Sequence, residues 1–222
     1  MPTKYTIVSD FHIGSEVCQR DKIIHLLKTI KTETLIINGD LIDVNNTKRL
    51  KKKDWEILSL LRKMSKNTHI IYIAGNHDGE VAKMISELLG FKFKNDFDFE
   101  VSGSRFHITH GHKFDTFISK FPITTEIASA IYHWIQCLSP KKQALARALK
   151  RQSKGFIQCC DKIRKNAETY SKSKGYDYIV CSHTHMAFLE EGNPYINTGC
   201  FTEAECHYLE IYDDGLILLN KI

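Results

Sequence analysis

Three short apolar runs, all within the first 73 residues, constrain the fold of this chain most strongly. They are Tyr5-Thr6-Ile7-Val8, Thr34-Leu35-Ile36-Ile37 and Ile70-Ile71-Tyr72-Ile73. Short runs without polar alternation are typical of strands buried on both faces of a parallel sheet. Helix-like stretches lie near residues 18–30, 53–65 and 80–89, the last ending at Gly90. The first half is therefore predicted to be β-α-β-α-β-α with a parallel sheet.

From about residue 97 the pattern changes to short strands joined by glycine turns. The predicted strands cover residues 97–101, 105–109, 178–181, 195–197, 207–212 and 216–219. Ser102-Gly103-Ser104 and Asp213-Asp214-Gly215 have the composition of tight turns. This half is therefore predicted to pair largely antiparallel.

Residues 116–174 interrupt the β-rich half with a long segment that reads as helix. One apolar stripe consists of Ile127, Ile131, Trp134, Ile135 and Leu138, and a second of Phe156, Cys160, Ile163, Ala167 and Tyr170. The chain has no internal repeat and no proline-rich linker. We therefore predict one domain over residues 1–222, with a helical, cap-like insertion at about 116–174.

Charge is distributed unevenly along the chain. The 31 Lys and Arg residues exceed the 26 Asp and Glu residues, for a net charge of +5. Residues 141–174 alone carry +9, so the rest of the chain carries −4. A basic segment on an acidic body suggests a surface that meets an anionic partner, although runs of charge are commonly just solvated faces.

Neither a membrane span nor a signal peptide is visible in the sequence. The expected location is therefore cytoplasmic. The seven cysteines show no CxxC spacing. This argues against a disulfide framework and against a thiolate zinc site, and most cysteines are predicted to be small buried residues.

Polar clusters follow five of the predicted strands. They are Asp10-Phe11-His12, Gly39-Asp40-Leu41-Ile42-Asp43, Gly75-Asn76-His77-Asp78, His110-Gly111-His112 and His183-Thr184-His185. Each cluster alone fits an ordinary turn. Because sites in α/β sheets form at the carboxyl ends of strands, five such clusters are predicted to converge. Carboxylate, imidazole and amide groups suit manganese, iron or zinc, and about seven ligands argue for two ions.

This ordered set resembles the calcineurin-like metallophosphoesterases across nearly the whole chain. The resemblance implies an α/β fold, a four-layer α/β/β/α sandwich. It also implies an enzyme that hydrolyses a phosphodiester or pyrophosphate bond with two divalent metal ions. Manganese is preferred over iron or zinc. By the resemblance, one metal is held by Asp10, His12, Asp40 and His185, and the other by Asp40, Asn76, His110 and His183. Asp40 would bridge the two ions.

Further residues receive roles beside this ligand set. We expect His77 to stabilise the transition state and to protonate the leaving oxygen. Asp43 and Asp78 are predicted to orient histidines. His112 either contacts substrate or supports its loop. Ser182 stands where the family usually has glycine.

Within the family, the position of the helical insertion resembles that of the UDP-2,3-diacylglucosamine pyrophosphatases. Residues 109–115 and 195–199 also match that branch. The resemblance implies a lipid-linked sugar nucleotide, with the insertion covering its acyl chains. The chain departs from the branch at His77, where its bacterial members carry arginine, and at His112, where aspartate is common.

The substrate alternatives remain open. The basic insertion could cover an acyl chain, lie on the inner face of an anionic membrane as a peripheral contact, or only pack on the body. A second basic run, Lys48 to Lys53, makes Lys51 and Lys52 candidates for binding a diphosphate or an extended nucleic-acid backbone. A nuclease or a nucleotide phosphatase is therefore the second hypothesis, although interleaved stacking aromatics are missing. A metal-free binding protein is the third, and metal analysis would distinguish it.

Overall fold

The computed structural model of the protein describes residues 3–44, 50–115 and 154–222. Within these ranges the strands are β1 (Thr3–Val8), β2 (Thr32–Asn38), β3 (His69–Ile73), β4 (Lys92–Lys94), β5 (Phe97–Val101), β6 (Ser104–Ile108), β7 (Tyr178–Cys181), β8 (Tyr195–Asn197), β9 (His207–Ile211) and β10 (Ile217–Lys221). The helices are α1 (Arg20–Thr29), α2 (Lys52–Met64), α3 (Ala82–Leu89) and α4 (Lys154–Lys174), with a 3₁₀ turn at His112–Phe114.

The first sheet has six strands in the order β10-β9-β1-β2-β3-β4. β1, β2, β3 and β4 pair in parallel, as predicted for the first half. The three-residue β4, which the sequence did not reveal, closes one edge. At the other edge β9 runs antiparallel to β1, and β10 runs antiparallel to β9.

The second sheet is mixed and corrects part of the prediction. Its order is β5-β6-β7-β8. β5 and β6 form the expected antiparallel hairpin around Ser102 and Gly103. The pairs β6–β7 and β7–β8 are parallel instead. The reason lies in the connections: more than sixty residues, including α4, separate β6 from β7, so the chain has the length for a crossover that a tight turn lacks.

Four layers result from this packing, in agreement with the predicted sandwich. Helices α1, α2 and α3 cover the outer face of the first sheet through buried residues such as Ile23, Ile57 and Leu61. The two sheets meet across a second apolar core that includes Ile36 and Phe106. Strand alternation explains both cores, since Leu35 and Ile37 face the helices while Ile36 faces the other sheet.

Helix α4 covers the outer face of the second sheet. Ile163 and Ala167 of the second predicted stripe are buried there against Ile179 and Cys181. The first predicted stripe, with Trp134, lies outside the described residues. Among the helices of the described ranges, none is both long enough and apolar enough to cross a membrane.

Cysteine burial matches expectation at four positions. Cys18, Cys181, Cys200 and Cys206 are buried free thiols, whereas Cys159 and Cys160 on α4 are half-buried. Burial raises the pKa of Cys181 far above its ordinary value. Cys181 is therefore a core residue and not a thiolate ligand.

Candidate metal centre

The five polar clusters lie together at the carboxyl ends of their strands. Asp10 follows β1 by two residues, Asp40 follows β2 by two, and Asn76 follows β3 by three. On the second sheet, His110 follows β6 and His183 follows β7, each by two residues. Because the two sheets pack face to face, these loops meet along one rim. The structure thus brings all seven predicted ligands into one region.

Backbone strain is concentrated in the same loops. Six non-glycine residues of the described chain have positive φ, and five of them are predicted ligands: Asp10, His12, Asp40, His183 and His185, with φ between 46° and 61°. The left-handed region costs a residue with a side chain about 1 kcal/mol or more. Strain of this kind clusters at functional sites, where the rest of the fold holds it in place.

Asp10 is the clearest sign that a cation belongs here. Its side chain is fully buried, yet within the described part of the chain neither of its carboxylate oxygens accepts a hydrogen bond. His12 Nε2, also without a hydrogen-bond partner, lies 3.7 Å from Asp10 Oδ1, and His185 Nε2 lies 3.0 Å from the same oxygen. A buried carboxylate that accepts no hydrogen bond is costly, so a bound cation fits this group of side chains.

Asp40 joins this group to a second one. Its Oδ2 atom lies 3.5 Å from His12 Nε2 and 3.5 Å from His110 Nε2. Its Oδ1 atom accepts a hydrogen bond of 2.9 Å from the backbone N–H of His77. One carboxylate oxygen is thereby fixed by the backbone while the other faces both imidazoles. This is the placement expected of a ligand shared by two ions.

The second group surrounds the side-chain oxygen of Asn76. Asn76 Oδ1 lies 3.1 Å from His110 Nε2 and 2.9 Å from His183 Nδ1. Groups of histidine and acidic atoms that lie within 4.8 Å of one another include Asp10, His12 and His185, and also Asp10, Asp40 and His110. The donor set of carboxylate, imidazole and amide oxygen suits a divalent metal.

The second ring nitrogens of three of these histidines also have partners. His110 Nδ1 lies 2.8 Å from the carbonyl oxygen of Asn38 and 2.9 Å from Ser182 Oγ. His183 Nε2 lies 3.3 Å from Asp115 Oδ2, and His185 Nδ1 lies 3.3 Å from Thr202 Oγ1. Such contacts orient metal-binding imidazoles.

Sequence reasoning did not assign a role to Asp115 or Thr202. Asp115 follows His110 by five residues, just beyond the 3₁₀ turn. An acidic residue so close to a predicted metal ligand was the sequence signal that could have identified it. Thr202 is 17 residues from His185, and no local pattern marks it.

Two glycines make room for this arrangement. A β-carbon on Gly39, which has φ of +87°, would lie 2.2 Å from His110 Nδ1. A β-carbon on Gly75 would lie 1.9 Å from Asp40 Oδ1. The glycines of the Gly-Asp and Gly-Asn-His-Asp clusters are therefore required by close approach and not only by the turns.

The electrostatics show strong coupling between the carboxylates and imidazoles. Burial opposes ionisation of Asp10 and Asp40, but neighbouring histidines outweigh it and hold the pKa of both carboxyls below the ordinary range. Burial also lowers the pKa of His110, but Asp40 and Asp10 raise it to about 9. The carboxylates thus attract positive charge to the rim, which a metal ion would supply.

His77 and His112 lie at the mouth of this region. Both are exposed. The His77 ring packs edge-on against His12 with the centroids 4.7 Å apart. A ring nitrogen of His77 also lies within 4.8 Å of candidate ligand atoms of His12 and Asp40. The His112 ring lies 5.5 Å from that of His110. Partial desolvation of the ring, followed by the charges of His110 and His183, lowers the pKa of His112 to about 4.

Asp78 differs from expectation. Its Oδ2 atom accepts hydrogen bonds from the backbone N–H groups of Leu41 and Ile42 and from the hydroxyl of Tyr72, and its Oδ1 atom accepts one from Gly75 N–H. It ties the loops after β2 and β3 together instead of orienting a histidine, because backbone donors of both loops surround it.

Asp43 lies in the loop after β2, and the predicted substrate lysines Lys51 and Lys52 stand at the start of α2. Asp43 is buried. Partial burial and the charge of His12 lower the pKa of His77, and the carboxylates of Asp40 and Asp43 oppose this lowering. Lys51 Nζ donates a hydrogen bond of 2.6 Å to Glu16 Oε2. Lys52 is exposed at the start of α2. Lys48 and Arg49 lie outside the described residues.

Comparison with known proteins gives a family match over most of the chain. A profile described as calcineurin-like phosphoesterase matches residues 3–187. YfcE, a phosphoesterase from E. coli, is 17% identical, with 98% of this chain and 97% of that chain covered and a TM-score of 0.51.

Two further solved structures cover nearly the whole chain. A single mutant of Vps29 from Entamoeba histolytica is 14% identical over 98% of this chain and 97% of its own, with a TM-score of 0.48. A predicted phosphoesterase from Streptococcus pneumoniae is 15% identical over 99% and 98%, with a TM-score of 0.41. No match was found among curated proteins.

Proposed function

The chain belongs to the calcineurin-like phosphoesterase family, and on that premise we propose that it hydrolyses a phosphodiester or pyrophosphate bond with two divalent metal ions. The observation that carries this proposal is the position of Asp40. A single oxygen, Oδ2, lies 3.5 Å from the imidazole nitrogens of both His12 and His110. A two-ion site needs one anionic ligand between its halves, and these two distances support Asp40 as that ligand.

The residues present fit the metals that the family implies. Asp10, His12, Asp40 and His185 would hold one ion, and Asp40, Asn76, His110 and His183 the other. When bound, the ions would polarise a phosphoryl oxygen and acidify the attacking water. We favour manganese, with iron and zinc as alternatives, since the donor set suits all three.

The protein's own groups have separate tasks in this proposal. The backbone N–H of His77 fixes Asp40 Oδ1, and the exposed His77 ring would protonate the leaving oxygen. His112, at the same mouth, would contact the substrate. Asp115 would hold the His183 ring with Nδ1 toward Asn76. Tyr72 and Asp78 keep the two loops together.

For the substrate we favour a lipid-linked sugar nucleotide of the UDP-2,3-diacylglucosamine type. The support is the sequence likeness at residues 109–115 and 195–199 and the long insertion between them. Helix α4, the described part of that insertion, exposes Lys154, Lys162 and Lys165 and buries Ile163. We also propose that the insertion, about 116–174, belongs to one domain with the rest and contacts the inner face of a membrane from the cytoplasm. A nuclease or nucleotide phosphatase is the alternative.

A substrate panel with manganese-loaded full-length protein tests this function. It should contain UDP-2,3-diacylglucosamine, its deacylated form, a generic phosphodiester, a phosphomonoester and single-stranded DNA. We expect cleavage of diester or pyrophosphate bonds, with the acylated substrate preferred. Preference for DNA would support the nuclease instead, and equal rates with and without acyl chains would remove the lipid assignment.

Two variants of the shared ligand connect activity to the site. Asp40→Ala and the isosteric Asp40→Asn should both abolish turnover and lower the metal content from two ions per chain. Asp213→Asn, on an exposed carboxylate that pairs with Lys4, is the matched control and should change neither. Full activity of Asp40→Asn would overturn the two-ion assignment, and an absence of metal in the wild type would favour a binding protein.

A further inference from the structure

Helices α2 and α3 form an apolar groove on the outer surface, to which Ile42 of the loop after β2 also contributes. The groove encloses about 580 Å³. Its walls include Trp55 and Leu58 from α2 and Ile85 and Leu88 from α3. Trp55 is 58% exposed and Leu88 is 68% exposed, and Met84, one turn before Leu88, is 55% exposed. Large apolar side chains this exposed mark interaction surfaces when they cluster.

The two helices run side by side with their C-terminal ends together. Ser65 Oγ, just after α2, donates a hydrogen bond of 2.9 Å to the carbonyl oxygen of Leu89 at the end of α3. The groove therefore lies between the two helices and is lined by residues of both. A groove between two helices is suited to a further amphipathic helix.

One end of the groove is strongly basic. Arg62, Lys63 and Lys66 line it on the α2 side. Lys66 also lines an adjoining cavity of about 440 Å³, to which Lys92 contributes. None of the residues lining either cavity, within the part of the chain that the structure describes, is acidic. The surface therefore combines an apolar channel with a cationic end.

We propose that this groove binds an acidic amphipathic helix of a partner protein. The partner's apolar side chains, at spacings of three and four residues, would lie between Trp55 and Leu88. Its carboxylates would face Arg62, Lys63 and Lys66. Helix-in-groove recognition uses this combination of apolar anchors and complementary charge.

Two other occupants fit the surface less well. A membrane is flat on this scale and would contact the exposed rims of Trp55 and Leu88 without filling a channel of 580 Å³. A two-fold interface uses the same patch on both copies, and none of the described residues that line this patch is acidic, so a second copy offers no complement to Arg62, Lys63 and Lys66. An acidic helix satisfies both the shape and the charge.

A peptide selection on the full-length protein tests the proposal. A display library of random 20-residue peptides is selected against the wild type and depleted on Leu88→Glu. We expect enriched peptides with net negative charge and apolar residues at helical spacing. Binding of the best synthetic peptide should weaken about tenfold or more with Trp55→Ala and with Leu88→Glu, since buried aromatic and aliphatic anchors dominate such interfaces.

Charge is tested separately. The double variant Lys63→Glu and Lys66→Glu should weaken peptide binding about tenfold, and added salt should weaken the wild-type complex.

Leu216→Glu is the matched control because Leu216 is also exposed, at 49%, but lies outside the groove. It should bind the peptide like the wild type. Phosphoesterase turnover should be unchanged in every variant, which separates this inference from the proposed function.

Several outcomes would overturn the proposal. The selection would contradict it by enriching neutral or basic peptides, or by enriching no peptide that competes at the groove. Equal binding of the peptide by Leu88→Glu and Leu216→Glu would also contradict it. Vesicles of phosphatidylglycerol and phosphatidylcholine test the membrane: binding that requires Trp55 would identify a lipid surface instead. Sedimentation analysis tests the second copy: a dimer that Leu88→Glu dissociates would identify self-association instead.

Discussion

The carboxylate oxygen Oδ2 of Asp115 lies 3.3 Å from Nε2 of His183. The other ring nitrogen of His183 faces Asn76 Oδ1 at 2.9 Å. One imidazole therefore connects a carboxylate outside the predicted ligand set to the centre of that set. Asp115 is buried and also contacts Cys159 of α4, so it joins the candidate metal centre to the insertion helix.

Replacing Asp115 should weaken metal binding without unfolding the protein. Asp115→Ala removes the group that orients His183, and loss of such a contact typically costs 10–100-fold in metal affinity. Asp115→Asn keeps a hydrogen-bonding oxygen and should cost less. Isothermal titration with Mn²⁺ measures both. The control is Asp161→Asn, at a half-buried acid on α4 that pairs with Arg164, and it should bind metal normally. Equal affinity of wild type and Asp115→Ala would contradict the assigned role.

Metal addition should stabilise the wild type through Asp10. A ligand present at 100 times its Kd stabilises the folded state by about 2.7 kcal/mol. The buried carboxylate of Asp10, which accepts no hydrogen bond within the described residues, is expected to provide much of the affinity. Thermal unfolding with and without Mn²⁺ should show a rise in Tm that Asp10→Asn abolishes. Asp21→Asn, on an exposed carboxylate, should keep the rise. A metal-dependent shift that survives Asp10→Asn would exclude Asp10 as a ligand.

His77→Ala should lower kcat while the metal content stays the same. Removal of a general acid typically costs 10²–10⁴-fold. Activity assays paired with metal analysis check this, and His25→Ala, an exposed histidine of α1, is the control. Loss of metal together with activity would show that His77 is a ligand, as its distance from His12 and Asp40 permits.

Ser182→Ala should impair metal binding through His110 more than it impairs the stability of the fold. The Ser182 hydroxyl lies 2.9 Å from His110 Nδ1 and donates to the carbonyl oxygen of Asn38 at 2.8 Å. Its loss should cost about 1 kcal/mol in unfolding free energy and also weaken metal binding. Ser171→Ala removes a similar hydrogen bond, to the carbonyl oxygen of Tyr176. It should destabilise the protein equally but leave metal affinity intact, and identical metal binding by both variants would argue against a role for Ser182.

Gly39→Ala should be far more damaging than Gly103→Ala. Both glycines have positive φ, +87° and +78°, so both substitutions carry the same backbone strain of about 1 kcal/mol. A β-carbon at Gly103 meets nothing within 4 Å, whereas one at Gly39 would overlap His110. Denaturant unfolding and metal titration should show the extra loss only for Gly39→Ala. Equal effects would mean that the close approach of His110 is not needed.

Local sequence accounts for much of the fold. The parallel strands β1 to β3, the helices after them and the polar clusters at the strand ends follow from runs of residues that are near one another in the chain. The three-residue β4 lacks enough residues to show a period. The parallel pairing of β6 with β7 was missed because it depends on where a connection of more than sixty residues returns.

The sequence by itself determined which side chains stand at the strand ends and which family they resemble. Only the tertiary structure decided how these groups combine: that Asp40 Oδ2 lies equally far from His12 and His110, that Asp115 supports His183, and that Asp78 ties two loops together. The physical reason is that a residue's place in a strand or loop depends on its neighbours in the chain. A contact such as that between Asp10 and His185, 175 positions apart, depends on the packing of two sheets.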